Sequence, residues 1–189
     1  MEKENRKQKR AKKKKSGGHL RWAIRIFFIS LVLSAVLSFL SGELLSGAGL
    51  VASFAILAGF IGLGILFDII GMSVATAEEK YFHSMAARKV RGAKEAIRLI
   101  RSADKVSTFC NDVVGDICGI VSGTTAAVIV VALGKLLPVQ AALLSIVVTS
   151  VVSGLTIGGK ALGKSFAIRS STKVVHIVGR VIYIFHKAK

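Results

Sequence analysis

Apolar residues gather into four stretches, 22–40, 50–76, 106–133 and 139–159, each separated from the next by polar or glycine-rich segments. About 20 mostly apolar residues in a helix cross the roughly 30 Å hydrocarbon core of a bilayer, so each stretch has the length of a membrane span. Barrel strands would be about 10 residues long and alternate in polarity, which no part of the chain does. The pattern therefore predicts an all-α integral membrane domain of about four transmembrane helices. Between the second and third stretches, Tyr81, Phe82, Met85, Val90, Ala93, Ile97, Leu99 and Ile100 recur at helical spacing among basic residues. A second stripe follows the last stretch: Val174, Ile177, Val178, Val181, Ile182 and Phe185, flanked by Lys173, Arg180 and Lys187. Both read as amphipathic helices, lying either on the bilayer surface or against the underside of the membrane domain.

Charge adds a direction. The 189 residues are 52% apolar and carry a net charge of +17, which alone fits nucleic acid, anionic lipid or a solvated surface. Lys and Arg number 11 in residues 1–25, none in 41–49, 8 in 77–105, one in 134–138 and 7 in 160–189. This alternation follows the positive-inside rule. It predicts a multi-pass protein of the cell (plasma) membrane with both termini and the long central linker in the cytoplasm, and it removes the case for nucleic acid. The expected layout is a disordered basic tail over 1–21, a transmembrane domain over 22–159 with a helical linker at 77–105, and a cytoplasmic amphipathic helix over 160–189. The tail, including Lys12, Lys13, Lys14 and Lys15, serves topology or contacts anionic lipid. A second reading of the first stretch is a cleaved signal peptide, with Ser38, Ser41 and Gly42 as the small residues after it.

Polar residues inside the spans carry the candidate chemistry, because an ionisable group at mid-membrane costs at least about 2.5 kcal/mol. Asp68, Asp112 and Asp116 fall about 9 to 15 Å from the same membrane face at 1.5 Å per residue, and Asn111 adds a neutral oxygen. Asp112 and Asp116, four apart, share a helix face. Carboxylate and amide oxygens suit a hard cation such as Mg²⁺; the plain alternative is hydrogen bonding to neighbouring helices. Gly115, Gly119 and Gly123, and likewise Gly154 and Gly158, have the spacing that lets helices approach closely, within the domain or across a homodimer seam. Cys110 and Cys118 match no metal or redox spacing, and His19, His83, His176 and His186 are scattered. No nucleophile, base or cofactor constellation appears, so an enzyme is not expected.

Three segments bring a family into view: FDIIGMSVATA at 67–77, AKEAIRLIRSADK at 93–105 and GKALGKSFAIR at 159–169. In order and character they resemble the transmembrane domain of the CorB/CorC and cyclin M magnesium transporters, across about two thirds of the chain. The last segment resembles the family pattern GEIVPKALALR, with Gly159, Lys164, Ala167 and Arg169 in step. The stripe after Arg169 is similar to the family's amphipathic helix. The resemblance implies divalent-cation (Mg²⁺ or Co²⁺) transport or homeostasis, with Mg²⁺ as the transported or bound ion. The departures are specific. The family's ion-holding glutamate falls on Lys160, its proline on Gly163, and a usual glutamate of its first helix on Gly71; its Gly-Asn pair falls near Gly115 and Asp116. The family usually adds nucleotide-responsive CBS domains after the membrane domain, and none is expected within these residues.

Two functions are thereby expected: cation transport or homeostasis through Asp68, Asn111, Asp112 and Asp116, or a non-transporting scaffold or regulatory subunit in which Lys160 neutralises a former ion site. A lysine ammonium can occupy the place of a cation and pair with Asp68 or Asp116.

Overall fold

The computed structural model describes the backbone of residues 2–136 and 138–187, and the side-chain surroundings of residues 22–136 and 138–185. The chain is all-helical: α1 (Glu2–Leu45), α2 (Leu50–Thr76), α3 (Glu79–Ala87), α4 (Ala93–Arg101), α5 (Ala103–Thr108), a π-turn (Phe109–Val114), α6 (Gly115–Gly134), α7 (Ala141–Arg169) and α8 (Ser171–Lys187). Among the described residues there is no strand. Four helical segments are long and apolar enough to cross a membrane: Trp22–Leu45, Leu50–Thr76, Ala103–Gly134 and Ala141–Arg169. Their outward faces carry Phe27, Val51, Ile157 and Leu162 in the open. Apolar surface of that extent marks a contact with membrane or protein, and with four helices of spanning length and composition the protein is membrane-embedded.

The helix bounds differ from the hydropathy pattern for local reasons. α1 is drawn from Glu2, a run of Lys, Arg, Glu and Gln that favours helix; the side chains of the basic tail over 1–21, the lysine run and His19 included, lie outside the described residues. The last span continues past residue 159 to Arg169, because Gly158 and Gly159 do not break a helix whose neighbours hold it. The terminal amphipathic helix therefore begins at Ser171 and not at residue 160.

α2 is the centre of the bundle, in contact with α6, the π-turn, α7, α5 and α8. Its polarity is uniform around the axis, as expected of a helix covered on several sides. Two apolar clusters hold the rest. At the basic end, Val74, Phe82, Ala96 and Val175 are fully buried together, with Met85, Ile97, Leu99 and Ile100 packed around them. The linker stripe is thus spent on the underside of the membrane domain, which decides between the two placements open to it. Higher up, Val113, Ile117 and Val121, spaced four apart on one face, meet Ile26, Leu33 and Leu37 of α1. The Ser41 and Thr125 hydroxyls lie 3.5 Å apart at the far end of the same seam. α1 packs along α6 through these contacts.

Glu79 fastens the linker helices. Its carboxylate accepts from Arg101 Nε at 2.8 Å and pairs with His83 Nε2 at 2.9 Å. The Arg101 hydrogen bond holds the Glu79 carboxyl below the usual range, while the Glu78 carboxylate raises the Lys80 ammonium.

Candidate ion centre where α2, α6 and α7 meet

Close approaches fix the level at which three helices face one another. A Cβ on Gly64 would lie 3.2 Å from the Cys118 Cβ, and one on Gly71 would fall on the Asn111 amide oxygen and 3.0 Å from the Cys110 Cβ. α2 and α6 therefore run antiparallel, with Asp68 opposite the segment between Asn111 and Gly115. On the other side, a Cβ on Gly159 would overlap the end of Ile65, and one on Gly163 would lie 3.0 Å from Ile69 Cγ1. α7 thus runs parallel to α2 and brings Lys160 to the level of Asp68. Ser73 Oγ donates to the Ala167 carbonyl at 3.3 Å, which pins the same pair of helices one turn further along.

Asp68 is 5% exposed, and its Oδ2 has no hydrogen-bond partner. The Asn111 Oδ1 on the facing π-turn is also buried without a partner. The clearance at Gly71, where the resemblance calls for glutamate, is what admits the Asn111 amide. Lys160 Nζ enters from the third side, 3.5 Å from the position of a Cβ on Gly115. Among the described side chains no ion pair links Lys160 to Asp68, Asp112 or Asp116; the pairs formed are Glu78–Lys80, Glu79–His83 and Glu79–Arg101, all outside the spans. Two acceptor oxygens without donors therefore lie on the two sides of the α2–π-turn seam, and the Lys160 ammonium reaches the neighbouring Gly115. Leaving acceptor oxygens dry and unpaired is costly, and each is relieved by a cation, a proton or water.

The four expected ligands divide into two pairs. Asp68 and Asn111 face inward, whereas Asp112 and Asp116 are exposed, and among the described residues no three His, Cys, Asp or Glu side chains gather as a metal site. Between Asn111 and Asp116 the helix carries a π-turn: Gly115 N–H reaches back to the Cys110 carbonyl, five residues rather than four. Single π-turns of this kind occur often at functional sites. With about 100° between successive residues, turning Asn111 toward Gly71 sends Asp112 away, and Asp116 follows on that outer face.

The glycines divide too. Gly115 is buried beside Lys160, but a Cβ on Gly119, Gly123, Gly154 or Gly158 would meet nothing within 4 Å. Close approaches within the chain are made by Gly64, Gly71, Gly159 and Gly163, and the open glycines leave the homodimer seam as the other place for theirs. The four-residue spacing of Gly159 and Gly163 is the sequence signal for this role, at the edge of the last apolar stretch. Gly119 and Gly123 instead line an open cleft of about 250 Å³ between α6 and α7, with Ser122, Thr149, Ser153 and Thr156. Cys110 and Cys118 are free and buried. No family model, curated protein or solved structure matches this chain.

Proposed function

We propose that this protein works in divalent-cation transport or homeostasis in the cell membrane, with both termini cytoplasmic, through a polar centre formed by Asp68 and Asn111. The reading is supported above all by the two buried, unpartnered oxygens, one on each side of the α2–π-turn seam. Mg²⁺ keeps several waters and needs only one or two carboxylates from a protein, so Asp68 with the Asn111 amide is a sufficient inner set. Asp112 and Asp116 act at most as outer charges on the approach to it. The distribution of Lys and Arg supports the orientation, and the resemblance to CorB/CorC and cyclin M supports the choice of ion.

One observation favours the alternative, a non-transporting scaffold or regulatory subunit: Lys160 reaches the same junction, where its ammonium competes with any metal ion. Flux assays on the purified full chain in liposomes separate the two. Transport predicts Mg²⁺ movement down a gradient that Asp68→Asn abolishes. The regulatory reading predicts no flux in the native protein and cation binding that emerges in Lys160→Glu. Neither reading survives if flux and binding are absent throughout or indifferent to both positions. The open faces at Gly119 and Gly123 and at Gly154 and Gly158 favour a homodimer, which cross-linking in native membranes measures.

A further inference from the structure

α8 presents two different apolar faces. Val175 and Gly179, four apart, are buried: Val175 joins Val74, Phe82 and Ala96, and Gly179 lies against the backbone of α4. The crossing is close, since a Cβ on Gly179 would lie 2.6 Å from the Gly92 carbonyl oxygen and 3.1 Å from Ala96 N, and one on Gly92 would lie 2.6 Å from Arg180 N. α8 is therefore clamped, backbone to backbone, in one rotation about its axis. That rotation leaves Ile177, Val181, Ile184 and Phe185 facing out, at the i, i+4, i+7, i+8 spacing of a helix stripe, with Phe185 75% exposed. Lys173 and Arg180 are exposed on the same helix, and Lys94 and Arg98 are exposed on α4 beside it.

We infer that this outer face of α8 is a membrane-surface contact, seated among the headgroups and upper acyl chains of anionic phospholipid. Charge complementarity selects the occupant: the basic residues beside the stripe suit an anionic leaflet, each contributing attraction near its surface. Continuity with the lipid-facing surface points the same way. α7 exposes Leu162 and Phe166 and passes into α8 through Ser170 alone, so the stripe begins where the lipid-facing side of the last span ends. An amphipathic helix with this division lies in the interface plane with its apolar side buried to a depth of about 5–10 Å. Because the Gly92–Gly179 crossing fixes the rotation beforehand, the contact couples the linker helices, and through Val74 the lower end of α2, to the lipid surface. The inference is independent of the ion reading.

The test uses the full chain with Cys110→Ser and Cys118→Ser, reconstituted in nanodiscs of phosphatidylcholine containing phosphatidylglycerol. Nitroxide labels are placed singly at Ile177→Cys, Val181→Cys, Ile184→Cys, Phe185→Cys and, as the aqueous reference, at the exposed Arg88→Cys at the end of α3. Relaxation by oxygen, which concentrates in acyl chains, is compared with relaxation by a water-soluble nickel chelate. The expected result is oxygen access exceeding nickel access at the four stripe positions and the reverse at Arg88, with the stripe moving toward water when phosphatidylglycerol is omitted. Nickel access at the stripe would show a solvated face and overturn the inference. Access to neither reagent would show a protein cover, a second copy or another chain, and would overturn it equally. Circular dichroism of each labelled chain confirms the helical fold, and a disrupted label site is replaced by its neighbour on the stripe.

Discussion

The crossing of α4 and α8 yields the most quantitative prediction. Gly92 holds φ +84°, in the left-handed region, and a Cβ there would lie 2.6–2.8 Å from Arg180 N, Arg180 Cα and the Gly179 carbonyl carbon. Gly92→Ala therefore carries two penalties: about 1–2 kcal/mol for a non-glycine residue in that conformation, and about 1–3 kcal/mol for overpacking. Because the opposing atoms are backbone, α8 must shift as a unit and no side chain can swing aside. The expected loss is about 2–5 kcal/mol. Gly47 is a matched control, with φ +82° and nothing within 4 Å of an added Cβ; Gly47→Ala should show only the first penalty, about 1–2 kcal/mol. Gly179→Ala completes the set. It has helical φ, so alanine gains about 1 kcal/mol of helix propensity against the overlap with the Gly92 carbonyl, for a net loss of about 0–2 kcal/mol. Equilibrium unfolding in mixed micelles, followed by circular dichroism, ranks the three. Equal losses for Gly92→Ala and Gly47→Ala would refute the close crossing and with it the fixed rotation of α8.

Three further outcomes are expected. Gly159→Val and Gly163→Val should each destabilise the bundle by about 1–3 kcal/mol through overpacking against Ile65 and Ile69, whereas Gly119→Ala and Gly154→Ala should be neutral or stabilising by up to about 1 kcal/mol; the same unfolding assay reads both, and a reversed order would show that the packed and open glycines are misassigned. Asp112→Asn and Asp116→Asn, at exposed positions, should change Mg²⁺ binding by calorimetry far less than Asp68→Asn does, and equal losses at all three would return the outer aspartates to the inner set. Because Arg101 holds the Glu79 carboxyl below its usual range, the contribution of this fastening is complete above the ordinary glutamate pKa of about 4.3 and is lost as pH falls through the lowered folded value. Amide exchange over 79–101 should therefore differ between native protein and Glu79→Gln at pH 7, and the difference should shrink as pH falls below the ordinary glutamate range; a difference that does not change with pH would show that the ion pair contributes nothing.

Hydropathy and charge, read along the chain, sufficed for the helical class, the number of spans and the basic and uncharged ends, because bilayer thickness and the cost of dry charge act on composition within single segments. The periodic stripes in the linker and tail were legible for the same reason, being properties of one helix at a time. What lies against each stripe was not. Phe82 and Ala96 turn inward to Val74 while Ile177, Val181 and Phe185 stay open, and only the meeting of helices distant in sequence separates these cases. The junction of α2, α6 and α7 shows the limit most sharply. Asp68 and Lys160 are visible as polar residues in apolar runs, yet their common level follows from where Ile65 and Ile69 meet Gly159 and Gly163. Asp112 and Asp116 are both exposed, while Asn111, next in sequence, meets Gly71 of α2, a division that appears only once α6 is set against α2. Sequence alone determined which segments enter the membrane and which charges they carry; the tertiary structure decided which side chains meet, because helix rotation and register are set by contacts between segments and not by the composition of any one of them.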